Sequence, residues 1–203
     1  MRNSPFRAYR SRGWWYEYPE MAHKAAARRI DDLLQMGPLG IDDFSSVRYL
    51  HARALRAHTG AVLSEAEVKS FINLVNSPAY IELLLKEELT GAWLEGELVG
   101  TVGWQSTGDN GTTARVGSLF VAHPRMGIGR RLLQTFETRA SQCGFHHFTT
   151  GVTANAVPFF LRHGYRVVSR GLRQLTPDCG LPVTFLKKTP QPPVRHAPPS
   201  ALM

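Results

Sequence analysis

The run Ala114-Arg-Val-Gly-Ser-Leu-Phe-Val-Ala-His-Pro-Arg-Met-Gly-Ile-Gly-Arg-Arg-Leu-Leu133 decides how the rest of the chain is read. Val116, Leu119, Phe120 and Val121 favour an extended strand, and Pro124 closes it. Ile128, Leu132, Leu133, Phe136 and Ala140 then recur at helical spacing, with Gly127 and Gly129 where that helix begins. The start of a helix presents backbone N–H groups without internal partners and the positive end of the dipole, and glycines let an anion come close. A phosphate or similar anion suits such a loop. Arg125, Arg130 and Arg131 crowd the same helix end, where the dipole disfavours cations, so a negative group is expected to offset them. A tight turn with solvated arginines is the plainer alternative for so short a glycine pattern.

Upstream, Asp42 or Asp43 is expected to cap a helix carrying Phe44, Val47, Leu50 and Ala54, with Gly60 past its end. Ser64-Glu-Ala-Glu67 spells a capping box for a second helix with Val68, Phe71, Ile72 and Val75 on one face, ending near Asn76-Ser-Pro78. Tyr80 to Leu89 reads as helical or extended. Gly91–Leu94 and Leu98–Trp104 are joined by Glu95-Gly96, a two-residue hairpin turn, and Asn110-Gly111 repeats the signal before the central strand. Three antiparallel strands therefore lead into the glycine loop. Downstream come a strand at His147–Val152, a short helix capped by Asn155 with Pro158 in its first turn and Gly164 at its end, and strands at Tyr165–Ser169 and Leu181–Phe185.

With 203 residues and 43% hydrophobic content the chain has the makings of one domain with tails. No apolar run is long enough to cross a bilayer and the first residues lack a secretory core, so a soluble cytoplasmic protein is expected. The formal charge of +8 divides into +3 over residues 1–40, +2 over 41–186 and +3 over 187–203. Basic ends around a balanced core argue against a nucleic-acid surface. Cys143 and Cys179 form neither a disulfide framework nor a metal spacing, and no metal site is expected. Residues 1–36 read as a loosely helical or flexible extension, with Met21 or Met36 as alternative starts, and 189–203 as a proline-rich disordered tail.

Taken in order over roughly residues 37–188, these pieces resemble the GNAT superfamily of acyl-CoA-dependent N-acetyltransferases. The resemblance rests on two early helices, the meander, Leu119-Phe-Val121 before His123-Pro124, the Gly127-Ile-Gly129 helix start, and Asn155, Phe159-Phe160 and Gly164-Tyr165. It implies an α/β fold with a mixed, mostly antiparallel sheet of six to seven strands and helices on both faces. It also implies acetyl-CoA as donor, a small-molecule or peptide amine as acceptor, and the pairing of two copies seen in some relatives. Position by position, Leu119, Phe120 and Val121 would meet the pantetheine arm, and Arg125, Met126, Gly127, Ile128, Gly129, Arg130 and Arg131 the phosphates. Asn155 and Phe160 would lie beside the cofactor.

Two departures stand out. Only Arg125 and Met126 separate Pro124 from Gly127, a shorter loop than the family's, and Phe160 occupies the place of a tyrosine that protonates the departing thiolate. Phenylalanine has no proton to give. Tyr165 and Tyr80 are the candidate substitutes, and Trp104 and Tyr80 the candidate acceptor contacts. No carboxylate lies inside the central strand, Glu95 and Glu97 read as solvated and His123 as structural, so no general base is named and a water chain is the default.

Overall fold

A computed structural model describes residues 33–108, 111–176 and 179–190. The alternative start at Met21, most of the expected N-terminal helix, and the tail beyond residue 190 lie outside the described residues. Met36, the other alternative start, belongs to the first strand, and Leu34 before it is buried in the core.

The elements run β1 (Gln35–Pro38), a 3-10 turn (Ile41–Asp43), α1 (Phe44–His58), α2 (Glu65–Asn76), α3 (Pro78–Leu84), β2 (Glu88–Leu94), β3 (Glu97–Thr107) and β4 (Thr113–Val121). Then come α4 (Ile128–Gln142), β5 (His147–Val152), α5 (Val157–Arg162), β6 (Arg166–Thr176) and β7 (Cys179–Lys188). The seven strands form one sheet in the order β1-β2-β3-β4-β5-β7-β6. Only β4 and β5, joined through α4, run parallel. The expected mixed, mostly antiparallel sheet with helices on both faces is what the chain builds.

Local chemistry sets the boundaries. Ser64 Oγ accepts from the Glu67 N–H at 3.3 Å while Glu67 Oε2 accepts from the Ser64 N–H at 2.7 Å, closing the capping box that starts α2. Asp43 does not cap α1 with its side chain; its carboxylate accepts from the Gly40 N–H at 2.9 Å and holds the preceding turn. Glu95 and Gly96, with φ of 52° and 84°, make the tight turn from β2 to β3. The ambiguous Tyr80–Leu89 segment divides: Pro78 sits at the first position of α3, where its missing N–H costs nothing, and the chain turns extended at Glu88. Asn155 is not the N-cap of α5, which Ala156 occupies.

Each face of the sheet has its own core. Against one face α4 lays Ile128, Leu132, Leu133, Phe136 and Ala140, each at most 1% exposed, onto Val102, Ala114, Val116, Phe148 and Leu186. Burying each larger side chain contributes about 1.5–3 kcal/mol, so this helix is fixed firmly to the sheet. Against the other face α1, α2 and α3 pack Val47, Leu55, Val75 and Leu84. The sheet thereby holds β4 and β5 between two rigid layers, and the site forms where those strands part.

Candidate functional site

β4 and β5 pair only through Thr113–Arg115 and His147–Thr149, yet run on to Val121 and Val152. At the fork Thr150 Oγ1 donates to the Val116 carbonyl at 3.1 Å, and beyond it the strands diverge. One extra residue in β4 helps this divergence. The register with β3 slips between Thr101/Phe120 and Gly103/Gly117, and Ser118 takes a left-handed φ of 43°. The bulge changes which way the following side chains face. Leu119 and Val121 pack toward the α4 side, while Phe120 turns to the α1 side and stacks on His51 with ring centroids 4.1 Å apart.

A cleft of about 1340 Å³ follows the gap, bordered at one end by the loop into α4 and at the other by α1, α3 and the β6–β7 hairpin. Gly127, at φ 83°, is the N-cap of α4, a conformation that glycine adopts without steric cost. A Cβ built at Gly129 would lie 3.5 Å from the Phe159 ring and 3.7 Å from Val121, so a larger branched side chain there would protrude into the cleft mouth.

The end of the cleft away from that loop holds a group that no motif signalled. Glu87, between α3 and β2, is largely buried, with its carboxylate over Gly103 of β3 and Gly117 of β4. A Cβ on either glycine would overlap that carboxylate. Glycine in a strand interior commonly marks such a close approach, and here two on neighbouring strands make one seat. Burial raises the Glu87 pKa above the ordinary carboxyl range, more than the Ser118 hydroxyl hydrogen bond and the positive charges of Arg115 and Arg173 lower it. Among the described residues Glu87 Oε2 has no hydrogen-bond partner.

Beside it runs a buried polar chain. Thr101 Oγ1 donates to the Ser118 carbonyl at 2.8 Å and therefore accepts from His51 Nε2, 2.7 Å away. His51 Nδ1 is left to accept the Tyr80 hydroxyl proton at 2.8 Å. His51 is wholly buried, which lowers its pKa to about 3 and keeps the ring neutral. Burial, followed by the Glu87 charge, raises the Tyr80 pKa. The chain ties α1, α3 and β3 to the bulged carbonyl of β4, so it fixes the wall of the cleft.

The cleft brings together Leu119, Phe120, Val121, Asn155 and Phe160, with Arg125, Gly127, Gly129 and Arg130 at the loop and Tyr80 at the far wall. Asn155 Nδ2 donates to the His58 carbonyl at 3.0 Å, and its Oδ1 accepts from Thr153 Oγ1 at 2.7 Å. The side chain thus bridges the β5 arm to the end of α1. Met126, Ile128 and Arg131 do not line the cleft: Met126 and Ile128 turn to the core and Arg131 lies along the outer face of α4.

Two expectations are corrected. Trp104 is packed against Phe136 and Phe145 beneath α4, with no access to the cleft. Tyr165, 2% exposed, stacks edge-on against Phe160 and lies under the Lys188 ammonium, so it is a core residue that does not line the cleft. Glu97, as expected, is exposed, paired with Arg53 at 3.2 Å. The groups missed from sequence are Glu87, His51 and Thr101; glycines 103 and 117 inside apolar strands were the available signal for the first.

Residues 60–174 match the acetyltransferase (GNAT) domain family. The chain belongs to this family of acetyltransferases. The GNAT assignment agrees with the fold of solved structures. A GCN5-related N-acetyltransferase from Rhodopseudomonas palustris superposes with a TM-score of 0.68 at 20% identity, over 76% of this chain and 94% of that one. PaiA N-acetyltransferase from Thermoplasma acidophilum, in complex with coenzyme A, gives 0.57 at 16%, over 77% and 98%. N-acetylglutamate synthase from Neisseria gonorrhoeae, complexed with coenzyme A and N-acetyl-glutamate, gives 0.56 at 16%, over 77% of this chain and 35% of that one. No curated protein sequence matches the chain. Among the described residues no His, Cys, Asp and Glu cluster could hold a metal ion, and no helix is long and apolar enough to cross a membrane.

Proposed function

We propose that the protein transfers the acetyl group of acetyl-CoA to a primary amine by direct attack within a ternary complex, with Glu87 accepting the proton that the amine loses. The observation that carries this reading is the fork between β4 and β5, which runs from the glycine-bearing start of α4 to a buried carboxylate in a single cleft. A nucleotide-bearing thioester fits that shape: an anion-binding end, a narrow apolar passage and a proton acceptor beyond it. The family match and the coenzyme A complexes of fold neighbours support the same donor.

In this reading the first-turn amides of α4, with Arg125 and Arg130 beside them, hold the pyrophosphate. The backbone of Leu119, Phe120 and Val121 meets the pantetheine arm, and Asn155 and Phe160 flank it from the β5 side. The donor supplies an acetyl group activated as a thioester. Glu87 is suited to its part because burial brings its pKa toward the operating range, where a base both stays ionised and takes a proton readily. The His51 chain fixes the Ser118 carbonyl and hence the bulge beside Glu87.

The test is thiol release on incubation with acetyl-CoA and a panel of primary amines. Amine-dependent release is expected. Phe160, with no proton for the departing thiolate, favours a second reading, an acyl-CoA sensor. Saturable binding of acetyl-CoA without release for any amine would select the sensor.

A further inference from the structure

Two arginines line the Glu87 end of the cleft without a hydrogen-bonded ion pair to it. Arg115 of β4 lies beside Thr149 of β5, which is in register with Lys187 of β7, and all three stand on the cleft face of the sheet. Arg173 of β6, opposite Leu181 of β7, lines the same wall. Arg115 is half-buried; neither it nor Arg173 has an ion pair or a hydrogen bond among the described residues. Burial lowers the Arg115 pKa first, and the nearby Arg173 guanidinium lowers it further, against the raising effect of Glu87. Glu87 is the buried carboxylate in reach of their field, and its own pKa is raised despite them. A partly desolvated pair of like charges beside one carboxyl group is a receptor for an added anion. The surrounding wall is apolar, with Phe71, Leu83, Leu172 and Phe185 on it.

From this arrangement we infer that the acceptor is an amine bearing its own carboxylate and an apolar body, its carboxylate held by Arg115 and Arg173 while its nitrogen faces Glu87. The inference rests on the amine-acetylation reading above and adds the acceptor class. The charges are complementary: a zwitterion brings its anion to the arginines and its ammonium to the carboxylate that must take a proton from it. Arginine favours the carboxylate because its planar fork donates two parallel hydrogen bonds.

The experiment compares matched pairs that differ only in the carboxylate: leucine with isoamylamine, phenylalanine with phenethylamine, and tryptophan with tryptamine. Thiol release gives kcat and KM. Calorimetry on coenzyme A-saturated protein gives the affinity for the corresponding N-acetylated products. At least one amino acid is expected to exceed its decarboxylated partner by about 10- to 100-fold in kcat/KM and in product affinity, the range for a charge-assisted hydrogen bond. Arg115→Gln should erase that preference by raising KM for the acid more than for the plain amine. Arg173→Gln, at an exposed position, should reduce it in a protein whose folding is not at issue.

Preference for the decarboxylated amines, or equal loss on both members of a pair in both variants, overturns the inference. So does absence of turnover with every amino acid while the plain amines are acetylated. Failure to bind acetyl-CoA at all instead overturns the reading on which the inference rests.

Discussion

Replacing Glu87 by glutamine tests the proton acceptor with little disturbance to its surroundings. The amide has the carboxylate's shape, fits the seat over Gly103 and Gly117, and keeps an oxygen for the Ser118 hydroxyl. Oε2 has no partner among the described residues, so exchanging it for an amide nitrogen removes no hydrogen bond. Folding should therefore change by no more than about 1 kcal/mol, a midpoint shift of about 2–4 °C. The chemical step should suffer far more. A positioned base is worth about 10²–10⁴-fold, or roughly 3–5.5 kcal/mol of barrier.

The pH profile separates this from a loss of shape. Burial outweighs Arg115, Arg173 and Ser118 at Glu87, so the acid limb of kcat/KM should lie above the ordinary carboxyl range, with activity falling as pH drops through it. In the glutamine variant that limb should vanish. The same shift has a stability consequence of opposite sense. The folded chain keeps the Glu87 proton to higher pH than the unfolded chain, so this group's contribution is lost as pH rises through the raised value, and E87Q should abolish that decline. Thiol-release kinetics from pH 5 to 9, with thermal melts at each pH, provide both readouts. Full activity with an unchanged acid limb in E87Q would refute the assignment.

Other outcomes follow from the same geometry. Gly117→Ala places a methyl group where the Glu87 carboxylate lies and should lower kcat about as far as E87Q while leaving acetyl-CoA affinity within a few-fold by calorimetry. Gly129→Val should weaken acetyl-CoA binding by at least about tenfold, since one β-branched group at the cleft mouth costs more than 1.4 kcal/mol of lost approach; unchanged affinity would displace the phosphates from this loop. Nitrogen NMR should find His51 neutral, protonated on Nε2 and not titrating between pH 5 and 8. Because its folded pKa is lowered to about 3 from 6.5, its contribution is complete above 6.5 and is lost as pH falls below that value, by at most about 1.4 kcal/mol per unit. A His51 titration near 6.5 would break the proposed hydrogen-bond chain.

Much of the fold was legible because local signals agreed with the tertiary arrangement. The apolar stripe of α4, the Ser64 capping box and the Glu95-Gly96 turn each depend on neighbours in sequence, and each appears where expected. The Tyr80–Leu89 segment was ambiguous because a short apolar run fits either period, and its division at Glu88 follows from pairing with Trp104 of β3. The glycine-bearing start of α4 was readable for the same local reason. The Glu87 end of the cleft was not. Glu87 meets Gly103 and Gly117 through three separate elements, and His51 joins Tyr80 and Thr101 across 29 and 50 residues of sequence. Trp104 was misplaced because an aromatic at a strand position gives no indication of which face it will occupy, and Tyr165 because it sits just before β6, where its packing on Phe160 is set by tertiary contact.

The account depends most on where the donor lies. Amide hydrogen exchange with and without saturating acetyl-CoA addresses this directly. Protection should rise at residues 119–131 and along Thr149–Thr153, the two arms of the fork, with little change in β1 and β2. Saturation that leaves both arms exchanging at their ligand-free rates would contradict it.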